Sequence, residues 1–249
     1  MSRSVVRAGT ERCEQCLVPP RWCICGGVPP VDTRLQVDVL IHQRELWRPT
    51  STGGLIHRAV RGARSFVHQR GQNPNPDSIR LSDRELWILH PRGTPLEPGV
   101  TPIPPPGRVQ VLLLDGSWNE AGDMLRAVES WGKRIALPLQ GPSRYWLREQ
   151  RHSDHHSTIE ALLGLFHDLG LESEASALRL HFELHVYASL RARGHKILAA
   201  EYLATSPIAT ALPEFLEQLC ARRPNPAVPK SGQSDTTPLR PKHLSAPPG

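Results

Sequence analysis

Four cysteines lie close together near the start of the chain, and thiolates are strong metal ligands. Two residues separate Cys13 from Cys16, and one residue separates Cys23 from Cys25. Zinc in structural sites prefers four tetrahedral thiolates, so the spacing predicts a structural zinc site, with buried or redox thiols as the alternative. Four thiolates leave no open coordination position, so the expected role is to fold the N-terminal segment. Cys220 has apolar neighbours at helical spacing and is predicted to be a core thiol.

Polar side chains follow two apolar stretches that are typical of strands. Asp115 and Trp118 come directly after residues 109–114, and Ser143 and Arg144 come soon after residues 135–139. Ligands of open α/β sheets bind beyond the carboxyl ends of the strands, so these side chains are candidates for one site. Each also has a structural interpretation, for example Asp115 as a helix cap and Trp118 as a core anchor. For Glu160 that interpretation is a first-turn acid favoured by the helix dipole.

Histidine pairs at four-residue spacing do not strengthen the prediction of a catalytic metal. The pairs are His152 with His156 and His181 with His185, and only the second lies in a convincing helical pattern. Neither pair contains the glutamate of an HExxH motif, which supplies the general base of zinc proteases. We therefore expect no catalytic metal.

The elements that must position these residues alternate along the chain. Strands are predicted at 37–41, at 86–89 with Pro91 stopping the strand, at 109–114 and at 135–139. A helix is predicted from the Ser/Thr/Gly stretch 50–54, with Leu55, Ala59, Ala63 and Val67 at four-residue spacing. Further helices are predicted at 121–131, at 159–166, at 174–193 and from Pro213, and the proline-rich stretch 91–107 is predicted to be a surface loop. The order predicts an α/β sheet with a helical C-terminal part.

Composition and charge narrow the function classes. Hydrophobic residues make up 39% of the 249 residues, which excludes a wholly disordered chain, and no apolar run is long enough to span a membrane. The first ten residues contain arginines and no apolar stretch, so we expect no secretory signal and a cytoplasmic location. The net charge of +6 comes from residues 1–12 and 222–249, whereas residues 42–92 carry a local +5. That local excess is a candidate surface for RNA.

Taken together and in this order, the motifs resemble the DTW-domain family, the tRNA-uridine aminocarboxypropyltransferases. The resemblance covers about residues 12–190. Ser117 stands where the family usually has threonine, and Ser51 stands where asparagine is common. The matching segments are the four cysteines, His42–Glu45, Thr50–Gly53, Leu89–Pro91, Asp115–Trp118, Ser143–Tyr145 with Arg148, and Ser157–Ala161.

The resemblance implies a fold, a reaction and a domain organisation. The fold would be an α/β sheet similar to the SPOUT class, with a C-terminal trefoil knot. The reaction would move the 3-amino-3-carboxypropyl group of S-adenosylmethionine to N3 of a tRNA uridine, with zinc as a structural ion. The expected segments are a zinc-binding segment at 1–30 and the transferase domain at 31–221. Residues 222–249 contain many prolines and no aromatic residue, and this composition predicts a disordered, basic, proline-rich tail. We expect neither a membrane contact nor an obligate protein partner.

The resemblance also implies residue roles. Asp115 is the candidate general base and Trp118 the second catalytic candidate, since its ring could stack on adenine or on the target base. Candidates for binding S-adenosylmethionine are Leu89, Pro91, Asp115, Ser117, Ser143, Arg144, Tyr145, Leu147, Arg148, Thr158 and Glu160. Candidates for phosphate contacts to tRNA are Arg44, Arg48, Arg58 and Arg61. Two alternatives remain: a related enzyme that acts on ribosomal RNA or transfers methyl, and a non-catalytic zinc-dependent RNA-binding protein.

Overall fold

A computed structural model describes residues 10–96, 104–148 and 155–222, and shows a five-stranded sheet in which all paired strands are parallel. The strands are β1 (Gln36–His42), β2 (Arg64–His68), β3 (Glu85–Pro95), β4 (Val109–Asp115) and β5 (Lys133–Ala136). Their order across the sheet is β2-β1-β4-β3-β5, so β1 and β4 lie at or next to the centre. Two predicted features lie wholly or partly outside the described residues: the tail, apart from Arg222, and residues 97–103 of the predicted surface loop.

The predicted α/β class with a helical C-terminal part is confirmed. The helices are α1 (Thr52–Ala59), α2 (Pro76–Ile79), α3 (Trp118–Val128), α4 (Thr158–Asp168), α5 (Glu172–Ala192), α6 (Lys196–Ala204), α7 (Ile208–Ala211) and α8 (Pro213–Ala221). Among the described residues, no helix combines the length and the apolar character that crossing a membrane requires.

Both faces of the sheet are covered by apolar side chains. On one face, Val39 of β1 and Leu113 of β4 belong to a large core that also contains residues of α1, α4 and α5. On the other face, Leu40 and Leu112 pack in a smaller core with residues of α3. A parallel sheet buried on both faces leaves its carboxyl edge as the place where polar side chains can gather.

The helix that begins near residue 52 is shorter than its four-residue spacing predicts. It ends at Ala59, and the segment that contains Val67 forms β2 instead. The helix ends because Val60 adopts an extended backbone and pairs with Val31. Gly62, whose left-handed backbone with φ of +73° favours glycine, then turns the chain toward β2. The β-branched and aromatic residues that follow then pair with β1 in parallel register, for example Phe66 opposite Leu40.

Pro91 does not stop β3, contrary to the prediction. Beyond Ile88 the strand has left its ladder with β4 and pairs only with β5, and the pairing jumps from Leu89 to Thr94. Pro91 lies inside that jump, where no ladder hydrogen bond requires its missing N–H, so the strand continues to Pro95.

The N-terminal cysteine segment packs on the C-terminal helices. Arg21 donates to the carbonyl oxygens of Leu219 and Cys220 near the end of α8, and Arg222 donates to the carbonyl oxygen of Cys23. Gly27 lies so close to Leu184 of α5 that a Cβ there would be 2.6 Å from a leucine methyl. Cys220 is exposed, so its prediction as a core thiol is wrong.

A buried carboxylate joins three parts of the sheet. Asp38, in the middle of β1, is fully buried and forms an ion pair with Arg64 of β2 at 2.6 Å. It also accepts hydrogen bonds from the side-chain amides of Gln36 and of Gln110 in β4. The network thus fixes the pairing of β1 with both of its neighbours.

Replacing Asp38 with alanine is expected to destabilise the fold, because it leaves the guanidinium of Arg64 and two amide donors without their acceptor. We expect a loss of about 3 kcal/mol in the free energy of unfolding, measured by urea denaturation. Asp32→Ala is the control, since the Asp32–Arg61 ion pair is exposed and its loss should cost at most about 1 kcal/mol. Equal urea midpoints for Asp38→Ala and Asp32→Ala would show that the Asp38 network does not stabilise the sheet.

Candidate functional site

Asp115 ends β4 and is a buried carboxylate at the carboxyl edge of the sheet. Only 5% of its surface is exposed. Ser51 donates its hydroxyl to Oδ2 at 2.7 Å, and Thr158 donates to Oδ1 at 2.6 Å. Thr52 makes a longer hydrogen bond of 3.4 Å to Oδ1. Three hydroxyls from the first residues of two helices therefore surround one carboxylate.

The start of α1 is shaped to approach this carboxylate. Ser51 is the N-cap of α1, and its Oγ accepts a hydrogen bond from the Gly54 amide while its hydroxyl donates to Asp115. Gly53 is required here, because a Cβ at this position would lie 2.6 Å from the Cβ and Cγ of Asp115. The positive end of the α1 dipole also favours a negative charge at this place.

Burial is the main influence on the protonation of Asp115. It raises the pKa of the carboxyl above its ordinary value, and the hydrogen bonds from Thr158 and Ser51 reduce that shift without cancelling it. The charge of nearby Glu45 raises the pKa further. The result is a carboxylate that holds a proton more readily than an exposed aspartate does.

Arg148 and Tyr145 attach the segment after β5 to the loop after β1. Arg148 contacts both carboxylate oxygens of Glu45, at 2.5 and 3.3 Å. Tyr145 donates its hydroxyl to the carbonyl oxygen of Thr50 at 2.5 Å. Both predicted residues thus contact the loop that leads into Ser51 and α1 rather than Asp115 itself. Glu45, which is buried, is the anion that holds Arg148.

Ser143, Arg144 and Glu160 form a second group. Glu160 accepts from the Ser143 hydroxyl at 2.8 Å and from the Arg144 amide at 2.7 Å. It also accepts from the Ser157 amide and hydroxyl, both at 2.7 Å, as part of a capping box at the start of α4. Glu160 therefore ties the segment after β5 to the helix that carries Thr158.

The guanidinium of Arg144 is held by the C-terminal helices. It donates to Glu183 of α5 and to the Thr205 hydroxyl, each at 2.9 Å, and stacks on the Tyr202 ring. A cavity of about 1130 Å³ opens beside it, bordered by Arg144, Glu160, Leu139, Leu163 and Phe182. A nucleoside-sized molecule fits in such a volume.

Trp118 and Ser117 lie at the start of α3. Ser117 is the N-cap of α3 and exchanges hydrogen bonds with Glu120, so its hydroxyl caps the start of this helix. Trp118 stacks on His155 with ring centroids 4.1 Å apart and keeps part of its ring exposed. Of the remaining predicted residues, Leu89 and Leu147 are buried and Pro91 is exposed.

The four cysteines are arranged as a metal site would require. Their sulfur atoms all lie within 4.8 Å of one another. Burial raises the pKa of Cys13, but hydrogen bonds from the backbone of Cys16 and Gln15 outweigh it and lower the value to about 7. Burial raises the pKa of Cys16 and of Cys25. Metal binding to these thiols would therefore have to displace protons.

The surroundings of Arg58 indicate that the four-cysteine cluster carries negative charge. Its Nε and Nη2 are buried and have no hydrogen-bond partner in the part of the chain that the structure describes. Burial lowers its pKa, and interaction with Cys16, Cys25 and Cys13 opposes that shift. Four thiolates around a divalent ion carry net negative charge and would compensate this guanidinium, so the donor set fits zinc.

The four arginines predicted to contact RNA do not share one surface. Arg44 and Arg48 lie on the loop after β1, beside the carboxyl edge that holds Asp115. Arg61 follows α1 at the opposite edge, where its amide bonds to Val31, and Arg58 faces the cysteines. Only Arg44 and Arg48 therefore lie on the side of the sheet that holds Asp115.

Sequence reasoning assigned no role to several residues that complete the site. The sequence marks Ser51 and Thr52 only as members of a polar stretch and of the matching segment Thr50–Gly53, and does not mark Glu45 and Glu183 as partners of Arg148 and Arg144. The polar stretch at a strand-to-helix junction was a usable signal for the first two. The glutamates had no local signal, since Glu183 lies 39 residues beyond Arg144.

The fold and the site together define an α/β protein with a buried aspartate at the carboxyl edge of a parallel sheet and a four-cysteine cluster beside its C-terminal helices. The chain belongs to the DTW-domain family, whose domain matches residues 10–190. No solved structure matches it.

A metal-loaded cluster predicts a characteristic thiol count. In the protein as purified, about one of the five cysteines, the exposed Cys220, should react rapidly with Ellman's reagent, because metal-bound thiolates are protected. After treatment with a strong chelator under denaturing conditions, all five should react, with release of zinc measurable by atomic absorption. Cys220→Ser should lower both counts by one. Rapid reaction of all five thiols before chelation would exclude a bound metal.

The burial of Asp115 predicts a pH dependence of stability. Because the folded state holds the proton more tightly than the unfolded chain, the wild type should lose free energy of unfolding relative to Asp115→Asn as the pH rises above the ordinary pKa of 3.8. Denaturation curves of both proteins between pH 4 and pH 8 measure this difference. If the difference in free energy of unfolding between the two proteins stays constant with pH, or changes in the opposite direction, burial does not dominate the pKa of Asp115.

Proposed function

We propose that this protein transfers the 3-amino-3-carboxypropyl group of S-adenosylmethionine to N3 of a uridine in tRNA. Membership in the DTW-domain family suggests a tRNA-modifying role. The observation that carries the finer proposal is the convergence on Asp115 of hydroxyls from Ser51, Thr52 and Thr158. Asp115 and its hydroxyl partners come from three separate segments through which the sequence resembles the transferases: Thr50–Gly53, Asp115–Trp118 and Ser157–Ala161.

The reaction needs a base and a correctly aligned electrophile. Uracil N3 attacks the methylene group on the sulfonium, the carbon–sulfur bond breaks, and the sulfur leaves as the neutral thioether of methylthioadenosine. The N3 proton must be removed, and a carboxylate in hydrogen-bond reach typically contributes about 10²–10⁴-fold. In this proposal Asp115 accepts the proton, and burial strengthens it as a base.

The hydroxyls around Asp115 would give the base its orientation. With Ser51 and Thr158 donating to different oxygens, the carboxylate plane is fixed by two helices rather than by its own rotamer. Uracil N3 would take the place of the weakest of these interactions, the 3.4 Å contact with Thr52. A fixed base loses less entropy when the substrate is aligned.

The segment 143–148 would hold S-adenosylmethionine. It connects the two groups of the site, and its backbone lies between the cavity beside Arg144 and the loop after β1. Arg144 and Arg148 already contact Glu183 and Glu45, so the amino-acid carboxylate of the substrate would share their donors rather than meet a free cation. Trp118 would enclose adenine or the target base from the open side.

Three further parts of the proposal concern the whole chain. The cysteines Cys13, Cys16, Cys23 and Cys25 would hold zinc, which stabilises the N-terminal segment and supplies no reacting group. We also propose the knotted SPOUT-like topology, which the enclosure of Tyr145 and Arg144 between the loop after β1 and the C-terminal helices supports. A cytoplasmic location and tRNA as the partner complete the proposal.

The direct test is incubation of the purified protein with S-adenosylmethionine and bulk tRNA, followed by nucleoside mass spectrometry. The expected product is 3-(3-amino-3-carboxypropyl)uridine, formed together with an equal amount of methylthioadenosine. A methylated base with S-adenosylhomocysteine would point to a methyltransferase instead. Modification of ribosomal RNA but not tRNA would change the substrate, and binding of RNA without any product would indicate a non-catalytic protein.

Asp115→Asn should separate binding from transfer. The variant keeps the shape of the side chain and loses the base, so we expect a fall in kcat of about 10²–10⁴-fold with a similar affinity for S-adenosylmethionine. Rapid-quench turnover and calorimetry measure the two quantities. Asp32→Asn, at an exposed position near the opposite edge of the sheet, serves as the matched control. Undiminished turnover would show that another group takes the proton.

A further inference from the structure

The loop after β1 presents one tryptophan to solvent. Trp47 is 85% exposed, the highest value among the large hydrophobic residues that the structure describes as exposed. Exposing so large an apolar ring gives up the free energy that its burial would supply, and single aromatic rings in such positions commonly contact partners. The residues on either side of the turn, Arg44 and Arg48, also have largely exposed side chains.

The exposure of Trp47 does not come from a loose loop. The backbone makes successive turns, with hydrogen bonds from Glu45 to His42, from Arg48 to Glu45 and from Ser51 to Arg48. Between these turns the buried carboxylate of Glu45 is held by Arg48 and Arg148. The loop is therefore anchored from inside, and its geometry directs the indole outward.

The exposed ring lies beside the site. The loop leaves β1 at His42, and β1 pairs with β4 such that Ile41 is opposite Asp115. Arg44 approaches Glu120, two residues beyond Trp118, at 3.7 Å. Two exposed tryptophans therefore follow adjacent strands at the edge that holds Asp115: Trp47 on the loop after β1 and Trp118 at the start of α3 after β4.

We propose that Trp47, with Arg44, forms a platform that binds a single-stranded nucleotide next to the target uridine. This inference rests on the proposed function for the identity of the RNA. An indole face stacks on any base, and a guanidinium beside it contacts the phosphate that follows. A duplex hides its base faces, so the platform selects unpaired loop nucleotides.

The platform would also help the target uridine to reach Asp115. N3 of a uridine is used in base pairing, so it must leave its pair or come from a loop before it reaches a buried carboxylate. A neighbouring base that stacks on Trp47 would hold the strand while the uridine turns toward Asp115. The interaction of Arg44 with Glu120 would keep that cation near the strand in the absence of RNA.

The test compares Trp47→Ala and Trp47→Phe with Ile197→Ala, an exposed apolar position on α6. Fluorescence anisotropy without S-adenosylmethionine measures binding of labelled decauridine and of a labelled 20-base-pair RNA duplex. Trp47→Ala should weaken binding of decauridine by roughly tenfold, which corresponds to the lower part of the range for base stacking. Trp47→Phe should retain most of the affinity, and duplex binding should change little.

Salt dependence separates stacking from charge. Trp47→Ala removes no charge, so it should leave the slope of log Kd against log salt unchanged, whereas Arg44→Gln should reduce that slope by about one phosphate contact. Equal loss for decauridine and duplex, or no loss at all, would overturn the platform. A change in sedimentation mass of Trp47→Ala would also overturn it, since the ring would then be covered by a second copy of the chain.

The outcomes remain separable from those of the proposed function. A wild-type protein that forms no aminocarboxypropyl uridine while Trp47→Ala loses decauridine affinity would leave the platform intact and reject the reaction. A wild type that forms the product while Trp47→Ala retains both decauridine affinity and the KM for tRNA would reject the platform alone. Binding of S-adenosylmethionine by Trp47→Ala should equal that of the wild type.

Discussion

A carboxylate removed from water must be given hydrogen-bond donors, and the carboxyl edge of this sheet is arranged around that requirement. Asp115 is buried at the end of the central strand β4, where its desolvation would be costly if it were left alone. Ser51 at the N-cap of α1 and Thr158 at the start of α4 supply the donors. Both helices must therefore begin at the same edge, on the face that carries the larger core, and that placement fixes the loops that precede them.

The same rule governs the acidic side chains around Asp115. Glu45 is buried against Arg148, Glu160 collects four donors from Ser143, Arg144 and Ser157, and Glu183 is buried against Arg144. Each pair joins segments distant in sequence, so the polar network sets the path of the chain after β5. It also leaves neither Arg144 nor Arg148 as a free cation, because each is paired with a buried glutamate. Recognition of a charged substrate would depend on sharing these donors rather than on a strong local field.

Local patterns predict the elements well and their partners poorly. The five apolar residues of β4 and the helical stripes of α3, α4 and α5 can be read from the sequence, since burial imposes these patterns. The sequence does not predict β2, because its alternation is short and the four-residue spacing of apolar residues suggests that the helix continues to Val67, whereas the chain becomes extended at Val60. Asp115 stands out as a polar residue after a buried strand, but its hydroxyl partners lie 43 and 64 residues away in the chain. No local rule gives such pairings.

Helix α1 connects the two chemical centres of the molecule. Its first turn holds Asp115, whereas Arg58 in its last turn faces the cysteine cluster, only about 10 Å further along a helix that rises 1.5 Å per residue. The cysteine segment in turn packs on α5, which also carries Glu183, the partner of Arg144. Charge on the cluster would stabilise the buried guanidinium of Arg58 and hence the last turn of α1. A metal in the cluster would therefore act on the helix whose first residues donate to Asp115, without touching a substrate.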